Sequence, residues 1–129
     1  MPERSADWMR QAKRDLASAR SQREAGFHEW ACFVAQQAAE KALKPVYQRR
    51  AAEAWGHSLH DLLRGLHEGT DVPDEVAGSA LSLDKLYIIS RYPNGWPSGS
   101  PGDSLTKRDA DAAISDSERI IQFCSGLLA

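Results

Sequence analysis

Residues 91 to 93 of this chain read Arg-Tyr-Pro, which sets a guanidinium and a phenol ring side by side. A guanidinium grips phosphate or carboxylate through two parallel N–H bonds. A tyrosine ring gives a base a face to stack on, or gives a core the apolar surface that seals it. On the residues alone, two roles stay open for Arg91 and Tyr92. They can form a ligand site, or Arg91 can pair with Asp61 or Asp84 as a clamp while Tyr92 fills the core. A second set of candidates lies upstream in the run QQAAEKALK. Gln37, Lys41 and Lys44 stand at i, i+4 and i+7, so they share one side of a helix, and Glu40 is spaced to pair with Lys44. Such a stripe is either a solvated ion-pair face or a polar groove whose lysines meet phosphate.

Other chemistry is excluded by spacing. His57, His60 and His67 include a His-x-x-His step, but HExxH and Cys/His patterns are absent, so no metal site is expected. No glycine-rich phosphate loop, dinucleotide fingerprint or nucleophile elbow occurs, and no cofactor or catalytic residue is expected on that ground. Cys32 and Cys124 sit far apart in helical patterns and read as small buried hydrophobes.

The elements that must position these residues are helical. Met9, Ala12, Leu16 and Ala19 repeat at helical spacing after Ser5, a cap candidate, and Gly26 closes that helix. The next segment, from Phe27 to Arg50, carries three stripes: Ala31, Val34, Ala35, Ala38 and Ala42; Trp30, Phe33, Gln37 and Lys41; Gln36, Glu40, Leu43 and Tyr47. Residues of interest on several faces place such a helix in the middle of a bundle. Pro45 either kinks it or ends a first helix near Lys44. Ser58, with Asp61 behind it, opens a short helix in the manner of a capping box. Pro73 stands near the start of the next helix, whose stripe is Val76, Ala80, Leu83 and Tyr87. Residues 90–105 cannot be helix, because Pro93, Pro97 and Pro101 lack a backbone donor and three glycines loosen the chain. Thr106 and Asp109 cap the last helix, whose inner face is Ala110, Ala113, Ile114, Ser117, Ile121, Cys124 and Leu128. The expected fold is all-α: one domain over residues 1–129, an antiparallel up-and-down bundle of four long helices plus one short helix.

Composition agrees with a soluble globular chain, at 42% hydrophobic and 26% charged residues with net charge −2. Charge is uneven: residues 1–50 hold ten Lys/Arg against six Asp/Glu, residues 51–129 six against twelve. That asymmetry suits an anion-facing surface, a dimer contact or ordinary solvated faces. No apolar run is long enough for a membrane span and the N-terminus is charged throughout, so a cytoplasmic protein is expected.

Four segments, AKRDLASARSQREAGFHEWACFVAQQAAEKALKPVY, HSLHDLL, LDKLYIISRYPNG and LTKRDADAAISDSERIIQF, follow one another along nearly the whole chain. In this order they resemble the HEPN family of higher-eukaryote and prokaryote nucleotide-binding domains, and small stand-alone prokaryotic members most. The resemblance implies an antiparallel helical bundle, commonly a homodimer, often encoded beside a minimal nucleotidyltransferase partner. It implies nucleotide binding, and for one branch of the family a metal-independent ribonuclease of toxin–antitoxin systems, acting on RNA. That branch carries Arg-x4-6-His near the start of its last long helix. Arg91 holds a comparable place, but no histidine follows it. Arg50 and His57 have Arg-x6-His spacing in another part of the fold. The expectation is therefore a binding or partner module, with a ribonuclease toxin or a bare dimerisation scaffold as alternatives. Dimerisation is expected from the apolar and aromatic residues Trp30, Phe33, Leu43 and Tyr47, too many for one small bundle to cover. If a phosphate-bearing ligand binds, Arg91, Lys41 or Lys44, and His60 should converge on it, with Tyr92 as the stacking surface.

Overall fold

A computed structural model describes residues 3–66 and 69–129, and among them every regular element is helical. His67 lies outside the described residues. In chain order the helices are α1 (Ser5–Glu24), α2 (His28–Arg49), α3 (Leu59–Arg64), α4 (Asp74–Asp84), α5 (Leu86–Ile89), α6 (Pro101–Ser104) and α7 (Lys107–Leu128), with a 3₁₀ turn at Pro93–Gly95. The four long members of the bundle are α1, α2, the nearly continuous α4–α5 pair, and α7. The short helix is α3. None of the described helices is long and apolar enough to cross a membrane.

The central position of α2 follows from its alanines. Ala31, Ala35, Ala38, Ala39 and Ala42 are wholly buried, and side chains that small let α1 lie along one side of α2 and α7 along another. Bulk comes from the neighbours. Leu43, Leu59, Leu63, Leu83 and Ile120 are fully enclosed, each contributing about 1.5–3 kcal/mol of apolar burial. The α1 and α7 stripes face inward as their spacing requires, with Met9, Ala12, Leu16 and Ala19 buried on one and Ala110, Ala113, Ile114, Ile121 and Cys124 on the other.

Several local expectations need correction. Ser5 is the first residue of α1 and its side chain does not cap it. It is buried, and its hydroxyl meets Glu3 and the Pro45 carbonyl instead. Pro45 does not end a helix, since α2 runs through it to Arg49. The proline is itself buried between α2 and the start of α1, where packing outweighs one missing hydrogen bond. Glu40 does not pair with Lys44, which donates to the Ala54 carbonyl. Residues 90–105 hold the 3₁₀ turn and the single turn α6, where Pro101 is a first-turn residue that needs no donor. Ser100 and Asp103 close α6 with a reciprocal cap. The loop is also pinned to the bundle. The Trp96 indole donates to the Ile89 carbonyl at 2.6 Å. A Cβ on Gly95 would stand 2.9 Å from an Ile89 methyl, and one on Gly102 would stand 2.6 Å from the Glu29 carboxylate.

Candidate functional site

Arg91 stands two residues beyond the end of α5, and its backbone N–H still bonds the Ile88 carbonyl. The side chain turns back, and Nε and Nη2 donate to the Tyr87 carbonyl at 2.9 and 2.8 Å. A helix end leaves such carbonyls without an internal partner, which is why an arginine in this place folds back on its own last turn. The guanidinium carbon then lies 4.4 Å from the Phe33 ring centre, 4.5 Å from Tyr87 and 5.0 Å from Tyr92. Three rings around one cation form an aromatic box, each ring attracting the charge through its quadrupole. Trp30 extends the box by packing edge-on against Phe33 at 6.1 Å. Both Trp30 and Tyr92 are about half exposed, at 47% and 48%.

The clamp pairing of Arg91 with Asp61 or Asp84 is not formed. Asp84 turns to the start of α3, where it accepts from Leu59 N at 2.7 Å, His60 N at 3.1 Å and the Ser58 hydroxyl at 3.0 Å. Ser58 caps Asp61 N as expected, but Asp61 makes no return contact: its oxygen lies 3.9 Å from Arg64, and Asp84 instead takes the first N–H groups of α3. Among the described residues Arg91 therefore has no carboxylate partner. Two of its five donor hydrogens serve Tyr87, and the rest have no protein acceptor there.

Beside this box stands a histidine. The His57 ring stacks on Tyr87 with centroids 4.6 Å apart and planes 19° from parallel. Its Nδ1 lies 2.9 Å from Glu40 Oε1, and its backbone carbonyl accepts from Gln36 Nε2 at 3.2 Å. Gln36 and Glu40 are one turn apart on α2 and both are buried. The stripe that holds them also holds Leu43, so its inward direction was visible in the sequence. Two polar side chains on an inward stripe are the signal that could have located His57, because buried polar groups require partners.

The remaining candidates lie elsewhere. Lys41 pairs with Asp15 of α1 at 2.6 Å, and Lys44 is held by the loop carbonyl of Ala54 at 3.5 Å. They follow Phe33 by two and three helical turns, roughly 12 and 16 Å along α2. The His60 side chain lines a small apolar groove with Leu63, Arg64, Val72 and Ala77. Of the five sequence candidates the fold brings only Arg91 and Tyr92 together. Arg50, the other half of the Arg-x6-His spacing, donates to the Leu66 carbonyl at 2.9 Å and meets Thr70. Burial pushes the thiols of Cys32 and Cys124 up to about 12, which keeps both uncharged and unreactive. No group of three or more metal-ligating side chains gathers among the described residues.

Comparison with known proteins gives this arrangement a family. No curated protein matches the sequence. The solved structures do. A Thermus thermophilus protein is 40% identical, with TM-score 0.94 over 98% of this chain and 99% of that one. An archaeal HEPN homologue is also 40% identical, with TM-score 0.84 over the whole of both chains. A HEPN domain protein from Thermotoga maritima is 42% identical, with TM-score 0.77 over 95% of this chain and 97% of that one. The family model described as HEPN domain matches residues 5–127. With the bundle, the helix order and nearly the full length in common, this chain belongs to the HEPN domain family.

Proposed function

We propose that this chain is a nucleotide-binding HEPN module that takes the ligand's phosphate on Arg91 and its base on the half-exposed aromatic rings of Tyr92 and Trp30. One observation carries this reading. Arg91 is a guanidinium at the surface of the bundle, boxed by three rings and lacking any carboxylate partner among the described residues. Besides capping the Tyr87 carbonyl, the guanidinium keeps its charge and part of its donor set, and a phosphate suits both. A base stacked on an aromatic side chain contributes about 1–3 kcal/mol.

The module is further proposed to act as a homodimer, beside a minimal nucleotidyltransferase partner in a toxin–antitoxin-like pair. Phe27 and Ile88 support the dimer, being 56% and 48% exposed. Leu43 and Tyr47 do not, since Leu43 is enclosed in the chain's own core and the Tyr47 hydroxyl reaches the Leu62 carbonyl. Light scattering at micromolar concentration decides the oligomeric state, and a clean monomer removes that part of the proposal.

The test of the site is Arg91→Ala beside Arg91→Lys. Loss of a charge-assisted phosphate contact should weaken AMP or ATP binding by roughly ten- to a hundredfold in the alanine variant. Lysine keeps the charge without the planar fork and should recover only part of it. Equal nucleotide affinity in wild type and Arg91→Ala would remove the reading. A second reading, metal-independent RNA cleavage, is favoured by one feature: His57 and Arg91 both contact the Tyr87 ring. Cleavage of RNA by the purified protein in the presence of chelator, abolished by His57→Ala in a folded variant, would select it.

A further inference from the structure

The chain leaves α2 through a turn that folds it back along the helix. Ala51 takes a left-handed φ of 53°, and the N–H groups of Ala51 and Ala52 bond the Gln48 and Tyr47 carbonyls at 3.0 Å. These are the bonds of a Schellman cap, in which glycine is the usual residue at the left-handed position. The returning residues bring the Ala54 carbonyl to Lys44, ten positions earlier. Between them lies a groove of about 280 Å³ whose lining includes Lys44, Tyr47, Gln48, Glu53 and Trp55. It shares no residue with the aromatic box, and Lys44 stands about three helical turns along α2 from Phe33.

The groove holds polar groups that the fold does not use. Lys44 is partly buried, yet among the described residues its ammonium has only the Ala54 carbonyl, at 3.5 Å. Two of its three donor hydrogens have no protein acceptor there. Glu40, one turn earlier, is committed to His57 at 2.9 Å, and Glu53 lines the groove without pairing with Lys44. The Gln48 side-chain oxygen accepts from Arg4 N at 3.3 Å, which leaves the amide's own N–H groups without an acceptor among the described residues. Tyr47 presents only its ring, because its hydroxyl donates to the Leu62 carbonyl at 2.7 Å. Trp55 is 79% exposed. One exposed ring is ordinary on a surface. Sharing a groove with an unpaired ammonium and a spare amide, it becomes the apolar half of a receptor whose other half suits an anion.

We infer that this groove binds a singly charged carboxylate with an apolar or aromatic body, the chemistry of an apolar amino-acid residue with a free carboxylate. The carboxylate takes Lys44 and the Gln48 amide, and the body lies against the Trp55 ring. Charge selects the class. Lys44 and Glu53 offset one another, so the groove has room for one negative charge on the lysine side, and a phosphate dianion would turn a second charge towards Glu53. Size agrees, since small-molecule sites begin at about 300 Å³ and this groove suits a body of one residue. Two sources supply that chemistry: a free amino acid or related small acid, and the last residue of another polypeptide. Neither Arg91 nor Tyr92 takes part, so this site stands apart from the nucleotide reading.

The probes are N-acetyl-phenylalanine, its uncharged amide, free phenylalanine and an acetylated tripeptide ending in phenylalanine. Each is titrated into the nitrogen-labelled full chain and followed by NMR at the backbone and indole N–H signals. N-acetyl-phenylalanine should bind saturably with a dissociation constant of about a millimolar, shifting the Trp55 indole and Ala54 amide signals. The uncharged amide should bind about tenfold more weakly. Lys44→Gln and Trp55→Ala should each weaken binding of the acid by about tenfold. Arg91→Ala should leave it unchanged. If Lys44→Gln fails to fold, Trp55→Ala decides, because that ring is in water and the core does not need it. Tighter binding of free phenylalanine than of the tripeptide supports a small-molecule site, and the reverse order supports a chain terminus. No saturable shift with any of the three acids up to tens of millimolar overturns the inference. So does equal binding of acid and amide, unchanged binding in Trp55→Ala, or tighter binding of inorganic phosphate at the same signals. If Arg91→Ala abolishes binding of the acid, the acid occupies the Arg91 site, and this inference falls while the nucleotide reading keeps its own test.

Discussion

Asp84 offers the sharpest test of how this fold is held, because its carboxylate caps a helix other than its own. It is the last residue of α4. Its carboxylate is turned to the first turn of α3, where it accepts two backbone N–H bonds and the Ser58 hydroxyl at 2.7 to 3.1 Å. Asp84→Ala leaves those two donors at the start of α3 without their acceptor. Capping residues contribute about 1 kcal/mol, and hydrogen bonds to a charged group about 1.5–3 kcal/mol each when well shielded. Asp84 is only partly buried and the bonds share one carboxylate, so about 2–3 kcal/mol is expected for the alanine variant. Asn keeps one acceptor and should cost about 1 kcal/mol. At this chain length 1 kcal/mol shifts the melting temperature by about 4 °C. Thermal melts followed by far-ultraviolet circular dichroism should then place Asp84→Ala about 8–12 °C below wild type and Asp84→Asn about 4 °C below. A drop under about 2 °C for the alanine variant would refute the cap and leave α3 held by Leu59, Leu62 and Leu63 alone.

Two further outcomes follow from the same contacts. Cys32 and Cys124 are buried with thiols pushed up to about 12, so a thiol-reactive dye should label neither in the native protein and both after unfolding. Rapid native labelling would contradict their placement. Asp103 is held below the ordinary carboxylate value of 3.8 by its bonds to Ser100, and Asp111 chiefly by Lys107. A lowered folded value means the contribution is full above about pH 4 and is lost as pH falls through the lowered range. Asp103→Asn should accordingly narrow the gap between melting temperatures at neutral and strongly acidic pH, and an unchanged gap would show that the α6 cap has no such role.

Most of the architecture is legible from local sequence, for a physical reason. Helical spacing of Met9, Ala12, Leu16 and Ala19, the Thr106 and Ser58 caps, and the alanine stripe of α2 are properties of residues three and four apart. Those distances are set by the helix itself, so inward faces can be read before anything is packed. Arg91 and Tyr92 come together for an equally local reason, since they are adjacent. Partners that meet from different elements are another matter. By charge and spacing, Asp61 and Asp84 suit Arg91, and Lys44 suits Glu40. Packing instead turns Asp84 to α3, Asp15 to Lys41 and Glu40 to His57. Tyr87 lies one helical turn before Arg91, but Phe33 is far away in the chain, and only the approach of α5 to α2 brings its ring to Arg91. Pro45 and residues 90–105 depart from local expectation for a related reason. Local rules weigh a proline by the hydrogen bond it lacks, whereas tertiary burial and the Trp96 anchor decide whether the chain stays ordered there. Sequence determined the helices and their inner faces, and the tertiary structure decided which charges are neutralised and left Arg91, among the described residues, boxed by rings without a carboxylate partner.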